Sequence, residues 1–106
     1  MADGVSIILT TVANEQHAAE LGDMLLTEQL AACIQEIPIR SRYRWQGAIQ
    51  NEAEVLLLVK TAHDRVTAAV EALRKNHRYE VPEILVLPSS SGLAEYVAWV
   101  RTETTR

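Results

Sequence analysis

The 106-residue sequence has a single cysteine, Cys33, so no disulfide can close within the chain. A small domain without a disulfide framework points to a reducing compartment. Long apolar runs are missing too. The longest, Val55-Leu56-Leu57-Leu58-Val59, falls far short of the ~20 residues a membrane-spanning helix needs. The opening residues Met1-Ala2-Asp3-Gly4 put no basic segment ahead of an apolar stretch, so no secretory leader is expected. Positive charge is not in excess. Ten Lys and Arg stand against 14 Asp and Glu, for a net charge of −4, which is not the electrostatic footprint of a general nucleic-acid binder. The sequence has no G-x-G-x-x-G and no Walker-type loop, and the serines at Ser89-Ser90-Ser91 come with no G-x-S-x-G elbow or ordered triad. These absences predict a cytoplasmic domain spanning 1–106, with no membrane or nucleic-acid partner and no catalytic residues.

What is present is ordinary globular composition, 48% hydrophobic and 23% charged. Val5 to Val12 is apolar and β-branched, as in a buried strand. Asn14 is a suitable N-cap for a helix from Glu15 to about Gln29, where Ala18, Leu21 and Leu25 recur at helical spacing. A second strand begins at Ala31 to Ile37. Past Pro38 it alternates strictly, with Ile39, Ser41, Tyr43 and Trp45 on one face and Arg40, Arg42 and Arg44 on the other. Gln46-Gly47 signals a turn, and Glu52 to Thr61 reads as the return strand of an antiparallel hairpin. Asp64 can cap a helix carrying Val66, Ala69, Val70 and Leu73. Ile84 to Leu87 is a short strand bounded by Pro82 and Pro88. Leu93, Tyr96, Val97 and Val100 then repeat the helical spacing.

The order β-α-β-β-α-β plus one helix predicts an α+β, ferredoxin-like sandwich with an antiparallel sheet, a long β-hairpin and an additional C-terminal helix. A strand from Ile34 to Trp45 would be roughly 40 Å long, whereas a domain of this size has a radius of gyration near ~13 Å. The hairpin is therefore expected to project from its own core and to need a second copy to cover Tyr43 and Trp45. A bend or bulge at Pro38 would instead keep it within one subunit.

Five ordered segments carry a family resemblance. They are Leu30-Ala31-Ala32-Cys33-Ile34, the run Ser41 to Ile49, Glu54 to Thr61 ending in Lys60-Thr61, His77-Arg78-Tyr79-Glu80-Val81-Pro82-Glu83-Ile84, and Gly92 with Glu95-Tyr96-Val97-Ala98-Trp99. Together they resemble the motifs of the CutA divalent-cation-tolerance family. The resemblance implies a homotrimer assembled by edge-strand pairing, a role in tolerance of copper (Cu2+) and other divalent cations, and no established enzymatic activity. It also implies a likeness to PII-type proteins, which bind small effectors between subunits; the alternative role is accordingly effector sensing, or a protein-interaction hub without direct metal binding. The chain departs from the family pattern in places. Val12-Ala13 stands where members often have Cys-Pro, Thr10 where some have Cys, and Arg78 where the motif has Pro. Asn76 precedes His77 where some metal-binding members have two histidines.

No two of Cys33, His17, His63 and His77 stand at metal-site spacing. His77, through the family motif, and Cys33 are the expected metal ligands, with Glu80 and Glu83 as nearby oxygen donors. The competing readings are a helix-capping His77 and a core cysteine. His17 and His63 are expected at the surface. Trp45, Lys60, Tyr79, Glu80, Glu83 and Trp99 are the expected lining of an intersubunit ligand cleft; alternatively Lys60 pairs with one of these carboxylates. The arginine stripe is expected to pair across the hairpin with Glu52 and Glu54.

Overall fold

The computed structural model describes residues 4–105; the segment Met1–Asp3, on which the reading of the leader partly rests, lies outside them. Four strands and three helices follow in the order β1 (Val5–Val12), α1 (Glu15–Thr27), β2 (Cys33–Trp45), β3 (Ala48–Ala62), α2 (Val66–Asn76), β4 (Ile84–Pro88) and α3 (Ala94–Glu103). The strands form one antiparallel sheet in the order β2-β3-β1-β4. This is the ferredoxin-like α+β arrangement.

The helices follow from their sequences. Asn14 caps α1 by accepting the His17 amide at 2.8 Å, which satisfies one of the orphan N–H groups of the first turn. Leu21, Leu25 and Ala18 face the sheet. Ahead of α2 the expected Asp64 cap is not made. His63–Arg65 forms a 3-10 turn, and Arg65 occupies the cap position without a side-chain bond. The core lies between the two helices and one face of the sheet, where Ile8, Val12, Leu57, Val59, Leu25 and Leu73 are fully buried.

The hairpin keeps one register from Cys33↔Lys60 to Trp45↔Ala48, with Pro38 opposite Val55 and no bulge. Pro38 is tolerated because β2 is an edge strand and one side of it has no ladder to break. The turn residues Gln46 and Gly47 both have positive φ, 51° and 80°, as a two-residue turn of the I′ type requires. β1 reaches only to Val12↔Val55, so the pairs from Ile39↔Glu54 outward form a two-stranded ribbon beyond the core. The longest dimension of the molecule is 44 Å.

Alternation gives the sheet a second face. Ile7, Leu9, Leu56, Leu58 and Lys60 lie on it, with Leu85 and Leu87 of β4 beside Leu9 and Ile7. α3 covers part of this face. Leu85, Leu87 and Ile37 remain 57%, 50% and 41% exposed.

Candidate functional site

Two side-chain clusters stand out, one at each end of the core segment of β3. The first forms where the loop after α2 crosses the end of β1. His77 stands at the C-cap position of α2, but its ring bonds outside that helix. Its backbone is extended, and its Nε2–H donates to the Thr11 carbonyl at 2.9 Å while Nδ1 accepts the Tyr79 amide at 3.2 Å. Tyr79 stacks obliquely on His77, and its hydroxyl donates to Glu54 at 2.7 Å. Glu54 is buried, 7% exposed. His17 meets the His77 ring edge-on, with centroids 5.4 Å apart. Arg78 pairs with Glu20 of α1 at the surface.

The electrostatics follow from this packing. Burial holds the His77 imidazole below its ordinary pKa, opposed by the bond to Thr11 and reinforced by His17. Burial and the Glu54 carboxylate push the Tyr79 phenol well above the usual range. On the outer ribbon, the hydrogen bond to Glu52 pushes Tyr43 up to about 12.

The second cluster surrounds Lys60. Cys33 lies opposite it on β2 and Ile7 opposite it on β1. The Lys60 Nζ sits 5.8 Å from the centre of the Tyr96 ring, and Tyr96 stacks at a tilt on Trp99, with centroids 5.7 Å apart.

Several expectations need correction. Glu52 and Glu54 do not pair with the arginines. They face Ser41 and Ile39, while Arg40, Arg42 and Arg44 face Ala53, Asn51 and Ile49 on the opposite side of the ribbon. Arg40 bonds the Asn51 side chain at 2.9 Å instead. His17 is not at the surface; it is 2% exposed, with its Nε2 buried and unpartnered. His63 is half-buried and shares a 2.8 Å hydrogen bond between its Nδ1 and the Ser6 hydroxyl. Cys33 is half-buried on the second face, outside the main core. Lys60 pairs with neither Glu80 nor Glu83; among the described residues the ion pairs are Arg74–Glu71 and Arg78–Glu20.

The residues expected to line one cleft occupy three places within a chain. Trp45 stands at the ribbon tip opposite Ala48, twelve residues along β3 from Lys60 and roughly 40 Å away. Tyr79 sits with Glu54, and Glu80 and Glu83 are exposed on the loop beyond it. Trp99 alone joins Lys60, through Tyr96. Two surface hollows, of about 480 and 690 Å3, include none of these residues in their walls.

Among the described residues, a single copy does not offer a donor set for a divalent cation. Both ring nitrogens of His77 are engaged and offer no lone pair. Cys33 faces Lys60, whereas His77 is bonded to Thr11, opposite Leu56. Those positions lie four residues, roughly 13 Å, apart along β3. Among the described residues no group of three or more His, Cys, Asp or Glu side chains is placed to hold a metal ion. No described helix is long and apolar enough to cross a membrane.

Fold and site define a class: a ferredoxin-like α+β protein with α1 and α2 on one sheet face, a second apolar face only partly covered by α3, and a projecting ribbon. The model of one family, described as "CutA1 divalent ion tolerance protein", matches residues 6–103. The chain belongs to the CutA1 family. The "Divalent-cation tolerance protein CutA" of Thermus thermophilus is 40% identical over 99 residues, 92% of this chain and 96% of that one. The "Protein CutA 1, chloroplastic" of Oryza sativa subsp. japonica is 36% identical over 92% of this chain. This chain spans only 56% of that plant protein, about half its length. The crystal structure of CutA from Xylella fastidiosa superposes with a TM-score of 0.93 at 38% identity, covering 96% of this chain and 99% of that one. None of these names carries an enzymatic activity.

Proposed function

We propose that this chain is a cytoplasmic, homotrimeric binding protein of divalent-cation tolerance, copper included, and that its ligand, a divalent cation or a small molecule, sits at the boundaries between copies. The observation that carries the reading is the second face of the sheet. Leu85, Leu87 and Ile37 are 57%, 50% and 41% exposed on it, and the ribbon beyond Val55 presents Tyr43 and Trp45, 40% and 39% exposed, on the same face. An apolar surface of this extent marks an interaction site. The bare edges of β2 and β4 supply backbone partners for neighbouring copies.

Assembly would also bring together what one chain keeps apart. In such an assembly Trp45 of one copy would meet a neighbour's Lys60 or Glu83, from which it is separated within its own chain. A cation would draw its ligands from two copies, because the described residues of one copy supply no complete set. The alternative, an effector-sensing or protein-interaction hub without direct metal binding, is favoured by that same lack of a donor set. Light scattering followed by native mass spectrometry with and without Cu(II) tests both. Three chains with bound copper support direct binding, three chains without it support the hub, and a stable single chain overturns the assembly.

A further inference from the structure

Lys60 is a half-buried residue on an apolar face, yet its ammonium has no carboxylate partner among the described residues. Its cross-strand neighbours are Cys33 and Ile7, and its Nζ lies over the π face of Tyr96. The chain has 14 acidic residues, so carboxylates are not scarce; among the described residues none is ion-paired to Lys60. Lysine at such a site is a strongly hydrated point charge drawn partly out of water, and an anion is the group that would compensate it. Beside it, Tyr96 and Trp99 are 38% and 45% exposed, with ring planes tilted by 37°. Two partly exposed aromatic rings next to a cation without a carboxylate partner among the described residues can hold a flat unsaturated body by stacking while its charged end meets Nζ.

We propose that Lys60, Tyr96 and Trp99 form a binding site for a small anion with a planar body, of the aromatic carboxylate or aryl phosphate class. The site rests on the assembly reading above in one respect: neighbouring copies would wall it in. The charge selects the anion and the rings select the flat body, so the two requirements separate experimentally.

Ligand-observed NMR on the intact protein uses benzoate and phenyl phosphate, with benzamide as the neutral isostere and acetate as the anion without a ring. Benzoate and phenyl phosphate should bind about tenfold more tightly than benzamide or acetate, the scale expected for a charge-assisted contact. Lys60→Met keeps the apolar stem and should lose about that factor, while Lys60→Arg should restore most of it. Trp99→Leu should abolish the advantage of benzoate over acetate. Equal binding of benzoate and benzamide, or an unchanged Lys60→Met, overturns the proposal. A Lys60→Met variant that loses subunits by light scattering also overturns it, because the counter-ion would then be a neighbour's carboxylate. An intact oligomer indifferent to benzoate refutes this site alone; a monomer that binds benzoate refutes the assembly alone.

Discussion

Replacing Tyr79 with Phe removes one hydroxyl and leaves its ring on His77. The hydroxyl makes the only hydrogen bond to the Glu54 carboxylate among the described residues, and Glu54 is 7% exposed. A hydrogen bond to a charged group contributes about 1.5–3 kcal/mol, and a buried charge left without its donor sits at the upper end of that range. With a urea m-value of about 1–1.5 kcal/mol per molar, as for a small domain, the unfolding midpoint should fall by about 1–3 M. The protein concentration must be fixed, since assembly shifts the midpoint. Glu54→Gln supplies the second arm of a cycle. In the double variant no charge is stranded, so its loss should be smaller than the sum of the single losses by about 1 kcal/mol or more. A spectrophotometric titration adds an independent readout. Glu54 helps hold the Tyr79 phenol above its ordinary pKa, so Glu54→Gln should bring that phenol down. If Tyr79→Phe costs less than ~0.5 kcal/mol and the two changes are additive, the loop is not held to the ribbon in this way.

Three further outcomes follow. His77 has a folded-state pKa below its ordinary value, through burial first. The unfolded chain therefore takes up this proton at higher pH, and the stability contribution, complete above the unfolded value near ~6.5, is lost as pH falls through the lowered folded value. Urea midpoints between pH 7.5 and 5 should decline, and the decline should be flatter in His77→Gln; equal slopes would remove His77 from the effect. His17 carries a buried, unpartnered Nε2, so His17→Leu, similar in volume and apolar, should keep or raise stability by about 1 kcal/mol; a clear loss would reveal a partner for that nitrogen. Leu87→Asp, on the bare side of β4, should leave circular dichroism intact and reduce the mass measured by light scattering; an unchanged mass would place the interface elsewhere.

The two periodicities made most of the fold legible. Alternation in β2 and the 3.6-residue spacing of α1 and α2 placed these elements to within a few residues, with β3 starting earlier, at Ala48, than the expected Glu52. Two of the errors were recoverable. A two-residue turn at Gln46-Gly47 forces paired numbers to sum to 93, as in Cys33↔Lys60. Even-numbered arginines must then face odd-numbered residues, so Glu52 and Glu54 could never have opposed them. His17 precedes Leu21 and Leu25 by four and eight residues and shares their buried stripe; its polar character hid that position. The His77 contact with Thr11 was not recoverable, because it joins residues 66 apart in sequence and depends on how the loop after α2 crosses β1. The separation of Trp45 from Lys60 was implicit in the ribbon's length, but a family motif read as one site obscured it.

Magnitudes also decide which part of the bare surface must matter in the proposed trimer. Full burial of a leucine or isoleucine side chain contributes about 1.5–3 kcal/mol. Leu85, Leu87 and Ile37 are already about half covered, so closing over them yields roughly 1 kcal/mol each, about 3 per copy. Association costs an estimated 4–15 kcal/mol in lost freedom for each subunit joined. The sheet face alone is therefore too small to hold copies together at working concentration. The difference has to come from the ribbon, where Tyr43, Trp45 and Ile49 are 40%, 39% and 73% exposed and where the β2 edge offers unpaired backbone groups. Shortening the ribbon by a pair of residues on each side of Gln46-Gly47 would keep the core, the register and the Lys60 cluster intact. It should nevertheless weaken assembly more than Leu87→Asp does.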